Sequence, residues 1–167
     1  KIVSFKINLL VFSVLSTLNM ATVVQADPSA HIVVQQQQKN SSVDILNIAA
    51  AINGYSSNSL TSFDVSEAGL ILNNSPDGAD TQLSGHIDGN SNLSSGAAKE
   101  ITLEVNAKKA ITLNGPVEVA GTKARVILSN PAGIICSSCN FLSADRVVLT
   151  TGKVNTQNDT VDSYKVE

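Results

Sequence analysis

The 167-residue chain carries 11 Lys and Arg against 14 Asp and Glu, for a formal net charge of −3, and has no basic face with interleaved aromatics, which argues against a nucleic-acid partner. Tryptophan is absent and aromatics make up only 4%, so a core has to come from Val, Ile, Leu and Ala. Layers of stacked strands can be built that way, whereas a compact sandwich ordinarily carries a Trp or more Phe.

Residues 1–26 have the layout of a signal peptide. Lys1 and Lys6 supply positive charge, Leu9–Leu15 is a short apolar run, and Val24-Gln25-Ala26 places small residues at −3 and −1 of a cleavage site after Ala26. A membrane-spanning helix is the weaker reading. Ser13, Ser16, Thr17, Asn19 and Thr22 interrupt what would need about 20 apolar residues. Lys rather than Met stands first, and the chain is expected to be incomplete at this end. Residues 27–167 then form one domain. Gln35–Gln38 and Lys39–Ser42 read as a polar linker or exposed loop.

Val43–Ile48 reads as a strand with Val43, Ile45 and Ile48 apolar. A helix through Ala49-Ala50-Ala51 is allowed, and Asn53-Gly54 ends either element. Phe63–Val65 and Gly69–Ser75 give two more strands, and Pro76-Asp77-Gly78 a turn. Asp77 and Asp80 lack the alternating oxygen ligands and closing Glu of a calcium loop, so a solvated turn is the better reading. Gly85–Gly96 reads as loop or irregular strand. Ile101–Val105 and Ala110–Leu113 alternate apolar and polar, as half-buried strands do.

The stretch Leu113–Gly152 organises the rest. Ala124–Ser129 and Asp145–Thr150 lie 21 residues apart and match closely after their first residues. That interval is too long for a hairpin and holds no helical crossover. It suits one coil of a parallel β-helix, in which a strand stacks on its earlier copy ~4.8 Å away. Strands Val126–Leu128, Ile134–Cys136 and Phe141–Leu142 fill the coil, with turns at Ser129–Gly133, Ser137–Asn140 and Ser143–Asp145. Val126 should stack on Val147 and Leu128 on Leu149 inside, with Arg125 and Arg146 outside. Two unrelated strands of a sandwich are the alternative. Asn130-Pro131-Ala132-Gly133 has the pattern of a type I turn, in which Asn130 accepts from backbone ahead, Pro131 presets φ and Gly133 leaves freely. No strong pattern follows Lys153. An uncapped coil would expose a pairing edge, so residue 167 reads as a cut.

Catalytic motifs are absent from the sequence, including Ser-His-Asp order, a nucleophile elbow, a phosphate-binding glycine loop and a zinc-protease helix. Glu100 and Glu104 share a strand face without being adjacent, while Glu118 and Asp145 stand alone. No enzyme activity, cofactor or metal is expected. Cys136 and Cys139 form a C-x-x-C. Zinc lacks two further ligands, and a thioredoxin-like motif lacks its βαβ context. In an exported chain a local disulfide is the favoured state, with free thiols the alternative.

These residues resemble the haemagglutination activity domain, the amino-terminal secretion domain of two-partner secretion exoproteins. That family includes filamentous haemagglutinins, large haemolysins and contact-dependent inhibition toxins. The resemblance runs from about Val43 to Gly152. It takes in Asn53–Asn58, Phe63–Val65, Gly69–Ser75, Thr81–Gly85 and Gly115–Gly121. It is strongest at Asn130–Ile134, Cys136-Ser137-Ser138-Cys139 and Arg146–Gly152. Two motifs depart from the family's. Asn-Pro-Asn-Leu appears as Asn90-Ser91-Asn92-Leu93, loosening that turn, and Asn-Pro-Asn-Gly-Ile as Asn130-Pro131-Ala132-Gly133-Ile134, removing a side-chain cap.

The resemblance implies an all-β, right-handed parallel β-helix of three strands per coil, with amino-terminal capping strands and room for an extra-helical hairpin. It implies a secretion and folding-nucleation domain of a large adhesin or toxin of a Gram-negative bacterium. The chain would pass through the periplasm and be secreted or held at the cell surface. Its partner would be an outer-membrane β-barrel transporter with periplasmic polypeptide-transport-associated domains. Contact with host or neighbouring cells would fall to a missing downstream chain. Asn90, Asn92, Leu93, Asn130, Pro131, Gly133 and Ile134 would set turns needed for export. The competing readings are a β-helical polysaccharide lyase or hydrolase and a self-contained surface carbohydrate-binding module.

Overall fold

The computed structural model describes residues 43–157 and 160–165; the expected signal peptide at 1–26, its expected cleavage after Ala26 and the Gln35–Ser42 tract lie outside the described residues. The described chain is strands β1 (Asp44–Asn47), β2 (Ala51–Ile52), β3 (Tyr55–Leu60), β4 (Leu70–Asn74), β5 (Ala79–Thr81) and β6 (Gly85–Ile87), then a 3₁₀ turn (Ser91–Leu93). There follow β7 (Glu100–Val105), β8 (Ile111–Leu113), β9 (Pro116–Gly121), β10 (Ala124–Ser129), β11 (Ile134–Cys136), β12 (Asn140–Leu142), β13 (Ala144–Thr150), β14 (Lys153–Gln157) and β15 (Thr160–Lys165).

The strands wind as a parallel β-helix. Sheet one stacks β1, β4, β9 and β12; sheet two stacks β3, β7, β10 and β13; sheet three pairs β8 with β11. All these pairings are parallel. One coil therefore visits sheets two, three and one in turn. The 21-residue repeat is one such coil, with Val126 opposite Val147 and Leu128 opposite Leu149. The corner between β12 and β13 is shorter than the sequence indicates. Ser143 alone, at φ 57°, makes it, and a register shift after Ala124 opposite Ala144 absorbs Asp145.

Two rows run up the inside of sheet two, Ser56–Ile101–Val126–Val147 and Asn58–Leu103–Leu128–Leu149. Ile101, Leu103, Val126 and Leu128 are fully buried, which stabilises by roughly 1.5–3 kcal/mol for each such side chain. Leu149 departs from the expected buried position, being 41% exposed, because among the described residues β13 pairs only with β10. In the first coil the rows are polar. Ser56 Oγ donates to Ala49 O (2.7 Å) and Asn58 Oδ1 accepts from Ala49 N–H (2.8 Å), so the peptide crossing the floor of the coil is satisfied inside the core.

No helix forms at Ala49–Ala51. β2 pairs antiparallel with β3 across Asn53-Gly54, whose φ values of 53° and 89° are those of a two-residue type I′ hairpin turn. Phe63–Val65 is not a full strand. Val65 makes an isolated bridge to Leu113, and Phe63 fills the core. Leu46 of β1 and Ile48 just after it face the main core, while Val43 and Ile45 face outward into a second cluster with Ile71, Ile87 and Ala120. The antiparallel hairpin β5–β6 lies outside the coil over that cluster, to which it gives Ala79 and Ile87. Beyond Lys153, where the sequence is patternless, β14 and β15 pair as an antiparallel hairpin.

Candidate functional site

A coil corner leaves backbone groups that strand pairing cannot reach, and a buried Asn can serve both N–H and C=O groups there. Asn74, fully buried at the end of β4, accepts from Ala98 N–H (2.7 Å) and donates to Ala98 O and Thr122 O (both 2.8 Å). One amide thus joins the corners of the two coils above it. Asn73 points outward, donating to Asn47 Oδ1 and Asp88 O, both at 2.9 Å.

Asn90 ties three segments. Its Nδ2 donates to Ile48 O (2.9 Å) and Asn73 O (3.0 Å), and its Oδ1 accepts from Asn92 N–H (3.1 Å) as the N-cap of the 3₁₀ turn. Asn92 Nδ2 adds a second donor to Ile48 O at 3.1 Å, and Leu93 is wholly buried in the main core. Ser91, where the family has proline, is exposed at the first position of the turn, and Asn90 before it is extended (φ −88°, ψ 104°), as proline requires of its predecessor. Ser91→Pro is therefore expected to stabilise the domain by ~0.4–1 kcal/mol through the unfolded chain. An unchanged or lowered denaturant midpoint would contradict that.

Asn130 works differently from the sequence reading. The turn closes as expected, Gly133 N–H donating to Asn130 O (3.0 Å), with Pro131 and Ala132 exposed and Gly133 at φ 113°. The side chain, however, donates instead of accepting. Nδ2 bonds Gly133 O (2.7 Å) and Lys109 O (3.2 Å), because two carbonyls converge on it, while Oδ1 is buried without a hydrogen-bond partner. This links the turn to the coil below at the start of β8, and half-buried Ile134 packs on the main core. The Asn90 and Asn130 motifs occupy different corners and share no hydrogen bond. Cys136 and Cys139 are joined by a disulfide between β11 and β12, with Cα atoms 5.2 Å apart.

Sequence reasoning missed Glu118. Its carboxylate, 3% exposed on β9, accepts from Gln82 N–H through both oxygens (2.8 and 3.0 Å) and from Leu83 N–H (3.0 Å). It fastens the tip of the β5–β6 hairpin. A charge inside an otherwise apolar strand is the one signal that could have marked it. Glu100 pairs with Arg125 at 3.2 Å in adjacent strands. Burial pushes the Glu100 carboxyl above its ordinary 4.5, and Arg125 offsets part of that. The folded state thus holds this proton more tightly than the unfolded chain. Its contribution is fully present below pH 4.5 and is lost as pH rises through the raised value. Wild type should lose stability relative to Glu100→Gln over that interval, and a pH-independent difference between the two would refute this.

A family model described as the TPS secretion domain matches residues 22–165. The chain belongs to that family. TPS secretion domains serve two-partner systems of Gram-negative bacteria, in which an exported chain is matched with an outer-membrane transporter. This TPS secretion domain is 46% identical over 114 residues to Toxin CdiA of Yersinia pestis, covering 68% of this chain and 4% of that protein. It is 36% identical over 126 residues to Hemolysin of Proteus mirabilis, covering 75% of this chain and 8% of that protein. A crystal structure of the filamentous hemagglutinin secretion domain superposes with a TM-score of 0.69 at 30% identity, covering 76% of this chain and 42% of that one. The TPS secretion domain thus spans only a small part of the curated relatives it matches.

Proposed function

We propose that this domain is the secretion and folding-nucleation module of a larger exported adhesin or toxin, recognised by the periplasmic polypeptide-transport-associated domains of a partner outer-membrane β-barrel. The observation that carries this reading is the asymmetry of the coil. One end is closed by β2 and by the polar rows of β3, whose side chains satisfy the Ala49 peptide. At the other end, among the described residues, β11, β12 and β13 each pair on one side, with Leu149 partly bare. A further coil can pair there, so folding on the cell surface can proceed from the closed end. The domain itself is non-catalytic in this reading. Glu100 is engaged by Arg125 and Glu118 by backbone N–H groups, and toxic or haemolytic action belongs to downstream sequence.

Residues 1–167 co-expressed with the cognate transporter should accumulate in the medium, and without it should not. Asn130→Ala should lower export several-fold while still folding once purified, because the two bonds lost are worth about 1 kcal/mol each against about 5–15 kcal/mol for a domain. Full secretion without any transporter would overturn the assignment. Equal secretion of both chains would remove Asn130 from it.

A further inference from the structure

The two sulfurs of the Cys136–Cys139 disulfide are not equivalent. Cys136 ends β11 on an exposed corner, with Ser137 and Ser138 exposed beside it and Ile135 50% exposed. Cys139 is half-buried and packs against the main core. The corner is also held without the disulfide. Ser137 N–H and Ser138 N–H both donate to Leu113 O (3.1 and 3.4 Å), and Cys136 pairs with Leu113 in the sheet.

We propose that this disulfide is a thiol-exchange site for small monothiols, entered through Cys136. An incoming thiolate attacks Cys136 Sγ and forms a mixed disulfide there. The Cys136–Cys139 bond breaks, and Cys139 leaves as a thiolate that takes up a proton. Either Cys139 returns and expels the monothiol, or a second thiolate attacks the adduct's outer sulfur. The second route releases an oxidised monothiol pair and leaves both protein cysteines reduced. Two thiols are oxidised as one protein disulfide is reduced, so the electrons balance. Access decides which sulfur is attacked, and here solvent reaches Cys136 while the core shields Cys139. The two serine N–H bonds keep the corner in place, so exchange does not require the coil to unfold.

The test uses the whole chain with reduced glutathione, followed by acid quenching, alkylation and peptide mapping, with circular dichroism to confirm that the fold persists. Glutathione should be found on Cys136 and alkyl on Cys139. As a second measure, Cys139→Ser, which leaves Cys136 free, should react with a thiol reagent about tenfold or more faster than Cys136→Ser, which leaves Cys139 free. The difference should vanish in denaturant. Adduct on Cys139, an even distribution, no adduct on the folded chain, or a rate difference that survives denaturation would each overturn the proposal.

Discussion

Asn90→Ala should lower the stability of the domain by about 3 kcal/mol, because it removes the side-chain donor to Asn73 O, one of two donors to Ile48 O and the cap on Asn92 N–H at a point where three segments meet. Nδ2 now satisfies Ile48 O and Asn73 O, and Oδ1 caps Asn92 N–H. Asn92 still reaches Ile48 O in the variant, but nothing else described donates from a side chain to Asn73 O. A loss of that size is a large fraction of the stability of a single domain, and the melting temperature should fall by roughly 10 °C. Asn92→Ala removes one bond to a carbonyl that Asn90 also serves, so its effect should be ~1 kcal/mol. Melting the two variants side by side decides the matter. Equal losses, or none for Asn90→Ala, would show that the amide is not the fastening described. Export of Asn90→Ala should fall with stability, since an unfolded exported chain is open to proteolysis.

Glu118→Ala should act locally. The carboxylate accepts charge-assisted bonds from two backbone N–H groups, that of Gln82 shared between both oxygens and that of Leu83, each N–H worth ~1.5–3 kcal/mol before solvent competes for it. Without it the hairpin Ala79–Ile87 retains its own pairing and the contacts of Leu83 and Ile87, but loses the anchor at its tip. Amide hydrogen exchange at Gln82, Leu83 and the hairpin strands should quicken by one to two orders of magnitude, roughly what 1.4 kcal/mol per tenfold gives for partial loss of those bonds. Strands β7 and β10, on another sheet, should keep their protection. Uniform acceleration across the chain would mean that Glu118 supports the whole coil, and unchanged exchange at Gln82 would remove its role.

Much of the coil was legible because its later turns repeat. Val126 and Val147, with Leu128 and Leu149, repeat without interruption, and stacking like on like is what a parallel ladder does with such a repeat. The first coil was not legible, because Ser56 and Asn58 occupy the inward positions that Ile101 and Leu103 fill one coil later. A reader of hydrophobic periodicity loses the pattern there. The hairpin turn at Asn53-Gly54 had its usual residue signal, but the alanines before it masked β2. In the first strand both faces are buried, one by the coil and one by the β5–β6 hairpin, so alternation could not say which side faced in. Asn90, Asn92 and Asn130 were visible as motif residues. Their partners were not, since Ile48, Asn73 and Lys109 are brought to them only by the winding of the coil.

The polar lining of the first coil constrains how proteins built on it can lengthen by gene duplication. A copy of Tyr55–Leu60 inserted higher in the stack would place Ser56 and Asn58 among Ile, Leu and Val with no crossing peptide to receive them. Each orphaned group would cost ~1–3 kcal/mol. Strands such as β7 and β10 carry no such penalty, since the inward Ile101 and Leu103 of one match the inward Val126 and Leu128 of the other. Tandem expansion is therefore tolerated from Glu100 onward and penalised before it. Recombination joints that survive selection should cluster on the carboxyl-terminal side of that boundary.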